Sequence, residues 1–182
     1  MVNMTLFYAY VLTAAIKYGV ALDNDWPYTE PLNQEPSQEA RDDAKNYEVL
    51  RAAAIPDLED DNLDPAKNTK ILTMKQLIDA KYYIGFGSVV KKSIYTVGKG
   101  GLEPYSEPGD LKDPEVGGHA RRAVGYKDDI QIPGAPVKGA FLVANSWGTN
   151  WGCFNGFSWV SYQVFIDQET NGMFLVNTKY KN

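Results

Sequence analysis

Asn145-Ser146-Trp147-Gly148-Thr149-Asn150-Trp151-Gly152 follows a short apolar run, Phe141-Leu142-Val143-Ala144. Twenty-six positions before Asn145 stands the only histidine of the chain, His119, within Gly117-Gly118-His119-Ala120. The histidine stands at the start of one apolar strand, and the Asn-Ser-Trp-Gly turn follows another. A general base needs one ring nitrogen facing the group it deprotonates and the other tied to an acceptor. An Asn oxygen supplies that acceptor without adding a negative charge that would over-stabilise the imidazolium. Trp147, two residues past Asn145, is placed to cover the contact and keep water off it. Taken singly, a lone His is usually structural and Asn-Ser-Trp-Gly fits many tight turns; the joint spacing carries the information.

The bulk composition narrows the field. A chain of 182 residues with 44% hydrophobic and 23% charged residues is globular and long enough for one ordinary domain. Twelve Tyr, seven Phe and four Trp point to a packed, β-rich core. The formal charge of −5, without a Lys/Arg run, speaks against nucleic-acid binding. One cysteine excludes an intramolecular disulfide and fits a reducing compartment, and one Cys with one His excludes a zinc cluster of those residues. Leu6–Ile16 lacks the basic flank and cleavage site of a signal peptide. Nothing approaches the ~18 apolar residues that a membrane span needs. The expectation is a soluble chain, intracellular or particle-associated, without membrane contact, cofactor or metal.

Along the chain, the pattern predicts a helix over 3–18, capped by Asn3, with Phe7, Val11, Ala14, Ala15 and Tyr18 on one face and Gly19 as the stop. Asp23-Asn24-Asp25-Trp26-Pro27-Tyr28 reads as a turn presenting two aromatics around a proline. From Thr29 to about Lys70 the pattern dissolves into loops around the apolar island Tyr47–Ala54, and the acidic run 56–65 reads as a solvated connector whose spacing does not fit an EF-hand. A second helix is predicted over Thr73–Ala80, with Thr73 and Gln76 as a capping box. Strands follow at Tyr82–Val90, His119–Tyr126, Gly139–Ala144, Gly156–Val160 and Met173–Asn177, forming a mostly antiparallel sheet. The long Gly/Pro-containing loop 98–118 leads straight into His119.

Three residues near the pair invite chemistry of their own. Cys153, in the turn after Asn145, lacks the helix N-terminus that would lower a thiol pKa, so a buried structural thiol is expected. Ser146 reads as a turn hydrogen-bonder. Arg121 and Arg122 either both lie on an edge strand, the simpler arrangement, or one of them turns inward and demands a carboxylate.

Gly117-Gly118-His119-Ala120-x-x-Ala123-Val124-Gly125-Tyr126, the run 141–144 and Asn145-Ser146-Trp147-Gly148-x-x-Trp151-Gly152-x-x-Gly156-Phe157 together resemble the papain-like (C1 family) cysteine peptidases. The likeness is strongest to the bacterial and viral branch, in which Gly-Gly precedes the active-site histidine. Lys17-Tyr18-Gly19-Val20 and Asp25-Trp26-Pro27-Tyr28 are similar to that family's segment joining its two domains. The resemblance implies an α+β, papain-like fold, with a truncated helical left domain over 1–70 and an antiparallel β right domain over 71–182. It implies His119 as general base and acid, Asn145 as its orienting partner, Trp147 as the shielding indole and Gly118 lining the cleft by its backbone. The family's nucleophile, a helix-borne Cys preceded by a Gln-containing segment, has no counterpart here.

Two functions are therefore expected. One is a papain-like peptidase acting on peptide or protein substrates, completed by an upstream segment or a partner subunit. The other is an inactive, peptidase-like component of a larger assembly such as a viral particle. A third, a module that holds an extended peptide without cutting it, uses the same cleft. All three leave an apolar face, including part of the first helix, that needs a partner.

Overall fold

The computed structural model describes residues 4–27, 33–55, 60, 62–167 and 171–180. Along the chain it contains α1 (Met4–Tyr18), α2 (Gln38–Ala44), β1 (Tyr47–Ala54), α3 (Thr69–Asp79), β2 (Tyr83–Lys91), a 3-10 turn (Lys92–Thr96), β3 (Glu115–Lys127), β4 (Ala140–Ala144), β5 (Phe157–Ser161), α4 (Tyr162–Asp167) and β6 (Asn171–Tyr180). The described strands form one sheet in the order β1-β6-β2-β3-β4-β5, with every neighbouring pair antiparallel. The architecture is α+β. The island Tyr47–Ala54 is a strand at the edge of this sheet, paired with β6.

Period-two alternation builds the core. Ile84 and Phe86 of β2, Ala123 of β3, Phe141 and Val143 of β4 and Val160 of β5 turn to one face. There they meet Ile71 and Met74 of α3 and Tyr162 and Phe165 of α4, all at most 1% exposed. Phe165 lies with its ring centroid 5.0 Å from Phe86 and 4.9 Å from Phe141, the tilted contacts that aromatic quadrupoles favour. A smaller cluster of Tyr105, Ile132, Ala135 and Ala140 sits beside it.

Several sequence expectations are corrected. The second helix begins one turn earlier than Thr73, because Asn68 and not Thr73 is its cap: Asn68 Oδ1 accepts from the N–H of Ile71 at 3.1 Å. The described part of the acidic run is solvated as expected, and it is also locally ordered. Asp60, Asn62 and Asp64 each accept a backbone N–H two residues on, at 2.9–3.0 Å, forming a staircase of Asx turns. Asp60 also accepts from the N–H of Thr69 and so ties the staircase to α3. α2 and α4 were not foreseen; α2 starts at Ser37, whose Oγ accepts from the N–H of Ala40.

The apolar spacing of α1 leaves residues open, in line with the apolar face expected to include part of this helix. Ala15 is buried, whereas Val11, Ala14 and Tyr18 are exposed. Asn3, Tyr28 and, within the acidic run, residues 56–59 and 61 lie outside the described residues. No helix among the described residues is long and apolar enough to cross a membrane.

Asn68 is 1% exposed, and its Nδ2 also donates to the carbonyls of Asp60 and Asn62. Asn68→Ala removes the cap and leaves those carbonyls short of a donor. We expect it to lower stability by about 2 kcal/mol, read as a reduced urea midpoint at unchanged slope.

Candidate active site

β3 is the longest of the described strands and lies between β2 and β4. Its entry is shaped by a bulge: Val90 pairs with Gly117 but Lys91 with Glu115, so Val116 is left over. Gly117 has φ +147, which side chains rarely adopt, with open space where a Cβ would stand. The glycine therefore serves backbone conformation and not room. Gly118 is exposed and pairs with Val89. On the other side, β3 and β4 run in register with Arg122 facing Ala144. Continued one step, that register sets Asn145 opposite Arg121, on the face His119 also occupies two residues away.

The consequence is a hydrogen bond of 2.8 Å between His119 Nε2 and Asn145 Oδ1. An amide oxygen only accepts, so Nε2 carries a proton and donates it, and Nδ1 is the ring nitrogen not engaged by the amide. Asn145 Oδ1 also accepts from the N–H of Ser146 at 2.8 Å, and the backbone N–H of Asn145 donates to Gly156 at 3.0 Å, which fixes the amide. Its Nδ2 is buried and has no partner among the described residues.

Trp147 lies face-on to the imidazole, with centroids 5.2 Å apart and planes 25° from parallel. Tyr95, from the 3-10 turn, stacks on Trp147 at 5.5 Å and 6°. Trp151 meets Trp147 edge-on at 5.4 Å and donates its indole N–H to the carbonyl of Ile94. The indole is thus clamped between His119 and the turn after β2. Gly152, at φ +65, lets the chain pass so close to β5 that a Cβ would stand 2.0 Å from the carbonyl oxygen of Phe157.

Loop 98–118 is held at several points. Asp113 accepts from the N–H and Oγ of Ser93 at 2.8 and 2.6 Å and from Ser106 Oγ at 2.9 Å. Burial pushes its carboxyl up, but these hydrogen bonds prevail and hold it below the usual range. The buried Lys91 donates to the carbonyl of Glu107, and Lys92 donates its backbone N–H to Pro114.

The arginines do not lie on an edge strand, since β3 is internal. Arg121 turns inward, 4% exposed, and pairs with Glu103 at 2.7 Å. Arg122 stays exposed over the ring of Tyr83. The ion pair is internal to the chain and gives no support to a cross-subunit contact. Ser146 is exposed and contributes through its backbone N–H.

Cys153 is 8% exposed and exchanges two backbone hydrogen bonds with Phe157, both of 2.8 Å. Its Sγ lies against Gly101, where a Cβ would come within 2.3 Å of it. Burial pushes the thiol pKa up, opposite to what a nucleophile requires. No group of three His, Cys, Asp or Glu suited to a metal ion occurs among the described residues. Sequence reasoning missed Ser88 and Glu103, the partners of Arg121, and Ser158, which donates to Glu103. A polar residue at an inward position of β2, in step with Ile84 and Phe86, was the available signal for Ser88.

No family model matches the chain. It is 31% identical over 156 residues to an uncharacterized peptidase C1-like protein of Acanthamoeba polyphaga mimivirus, covering 84% of this chain and 45% of that protein. The fold is similar to xylellain, a cysteine protease from Xylella fastidiosa, with TM-score 0.65, 22% identity, and 92% of this chain and 60% of that one covered. It is also similar to the Carica candamarcensis cysteine protease CMS1MS2, with TM-score 0.57, 19% identity, and 94% and 68% covered. The chain thus spans less than half the length of the curated relative it matches.

Two measurements check the local assignments. The single thiol should react with iodoacetamide at least about tenfold more slowly in the native chain than in urea, since only unfolding frees and ionises it. Because Asp113 is held low in the folded state, the folded chain binds fewer protons than the unfolded one as pH drops. Its contribution is present at neutral pH and is lost on acidification below about pH 4, through the carboxylate range. Asp113→Asn should flatten that acid limb of the urea midpoint against pH.

Proposed function

The chain belongs to the papain-like, C1-type family of cysteine peptidases, and from that premise we propose that it supplies the base-and-orienter half of a thiol peptidase site. The observation that carries the proposal is the 2.8 Å bond from His119 Nε2 to Asn145 Oδ1, which leaves Nδ1 free to exchange a proton with a nucleophile. In the completed site His119 takes the thiol proton of a cysteine, giving a thiolate–imidazolium pair. The thiolate attacks the scissile carbonyl of a peptide, His119 returns the proton to the departing amine, and an acyl-enzyme forms. Water, deprotonated by His119, then attacks the thioester and releases the acid and the thiol. Asn145 holds the Nε2–H of the ring throughout while Nδ1 gains and loses its proton, Trp147 shields their hydrogen bond, and Gly118 lines the cleft by its backbone.

The nucleophile comes from polypeptide other than these 182 residues. Cys153 is buried against Gly101 with a raised pKa. Two further features favour a completing segment. Asn145 Nδ2 is buried without an acceptor among the described residues, which costs about 1–3 kcal/mol until one is supplied. α1 and the segment after it expose Tyr10, Val11, Ile16, Tyr18, Val20 and Leu22, an apolar face of the kind another element covers.

The test is labelling with an epoxide-type thiol-peptidase probe, followed by hydrolysis of a fluorogenic peptide. The 182-residue chain alone should take up no probe. The longer reading frame, or this chain co-expressed with a Cys-bearing segment, should be labelled on that cysteine. His119→Ala in the completed protein should cut turnover at least about a hundredfold. Labelling of Cys153 in the chain alone would overturn the external nucleophile. A completed, folded protein without labelling or turnover would favour the inactive, assembly-borne role.

A further inference from the structure

Beneath His119 lies a buried polar group that the mechanism above does not use. Arg121 follows two positions on, so it shares the face of His119, and its side chain is 1% exposed. One guanidinium nitrogen donates to Glu103 Oε2 at 2.7 Å, and another donates to Ser88 Oγ at 3.1 Å. Ser88 is the residue of β2 paired directly with His119. Glu103, on loop 98–118, receives a further hydrogen bond from Ser158 of β5 at 3.2 Å. The guanidinium carbon stands 5.7 Å from the ring centroid of Phe86, the β2 partner of Arg121 itself. Strands β2, β3 and β5 and the loop that ends in Gly117-Gly118-His119 therefore converge on one ion pair.

Stability alone does not explain that pair. Desolvating two charges costs several kcal/mol, and apolar residues of similar volume commonly do as well or better in such places. What a planar fork adds is direction: it fixes two acceptors at once, in one plane. Here those acceptors are the residue across from His119 and the loop that delivers His119.

We propose that Arg121 is a positioning residue for His119, acting through Ser88 and Glu103 to hold the imidazole at the height and rotamer from which Nε2 reaches Asn145. The proposal rests on the base-and-orienter reading for its meaning. Its test needs no nucleophile.

His119 is the sole histidine, so protein labelled with 15N-histidine gives one imidazole signal that reports tautomer and hydrogen bonding directly. The unaltered chain should show a fixed Nε2–H tautomer with a protected ring proton. In Arg121→Met, shown folded by its amide spectrum, the ring should populate both tautomers and exchange its proton at least about tenfold faster. Arg121→Lys keeps a cation for Glu103 but has no fork to hold Ser88 as well, and should fall between the two.

A folded Met variant with the unaltered imidazole signal overturns the positioning role and leaves the reading of the pair intact. If Arg121→Met does not fold, Ser88→Ala decides, because it removes one hydrogen bond and no charge. A loosened ring then supports the proposal and an unchanged one overturns it. An unaltered chain whose imidazole is not bound to Asn145 sinks the base-and-orienter pair, and with it any positioning of that pair.

Discussion

The register of β3 against β4 is the constraint on which the site depends. With Arg122 set opposite Ala144, the end of β4 delivers an amide to the imidazole and the next two residues deliver an indole to its face. A slip of one residue would reverse the face of every side chain, carrying His119 away from Asn145 and Arg121 out of the interior. Burial makes that slip expensive. Ala123, Phe141 and Val143 are fully buried in the same pair of strands, so the apolar pattern that fills the core also fixes the site. The catalytic-type geometry needs no separate device; it is read off the same ladder.

Two kinds of restraint meet at His119. From the core side the restraint is alternation and packing, and from the outer side it is hydrogen bonding to loop 98–118. That loop would otherwise be a long, loosely held connection. Asp113 closes it onto the turn after β2, Lys91 holds its middle, and Glu103 pins its first part to β3 and β5. The bulge at Val116 with Gly117 then turns the chain into the strand. The aromatic stack of Tyr95, Trp147 and His119 joins the two restraints, since Tyr95 belongs to the turn that Asp113 caps and Trp147 to the segment that follows β4.

Much of this was legible in the sequence, and the limits have physical causes. The five later strands follow from alternation, which is local and periodic, whereas the His119–Asn145 pairing and the cover by Trp147 were implied by the resemblance that the joint motifs carry. The inward Arg121 was recognisable only as a choice between two arrangements, because its carboxylate partner lies 18 positions away in a loop that has no period. The start of α3 was misplaced by one turn because Asn68 and Thr73 are both plausible caps. The staircase of Asp60, Asn62 and Asp64 that selects Asn68 is tertiary in effect though local in sequence. The stripe on α1 has helical spacing, but periodicity says only that a face is apolar and not that this chain covers it. Val11 and Tyr18 show the difference.

On the proposed reading of the pair as half of a thiol peptidase site, the local restraints bear on how a completing segment would join it. Every restraint on His119 described above comes from this chain: the amide of Asn145, the indole of Trp147, the ladder to β2 and the loop. The imidazole is therefore held through Nε2 before any nucleophile arrives, and the entropy of fixing it is met by folding and not by assembly. A Cys-bearing segment would have to satisfy a simple geometric demand, a sulfur within hydrogen-bond reach of Nδ1. It would have little to reorganise on this side of the cleft. The reverse holds for Cys153, whose backbone is locked to Phe157 on both sides and whose thiol is packed against Gly101. To reach the imidazole it would have to break the turn that places Asn145 and Trp147, so recruiting it as nucleophile would dismantle the base it needs.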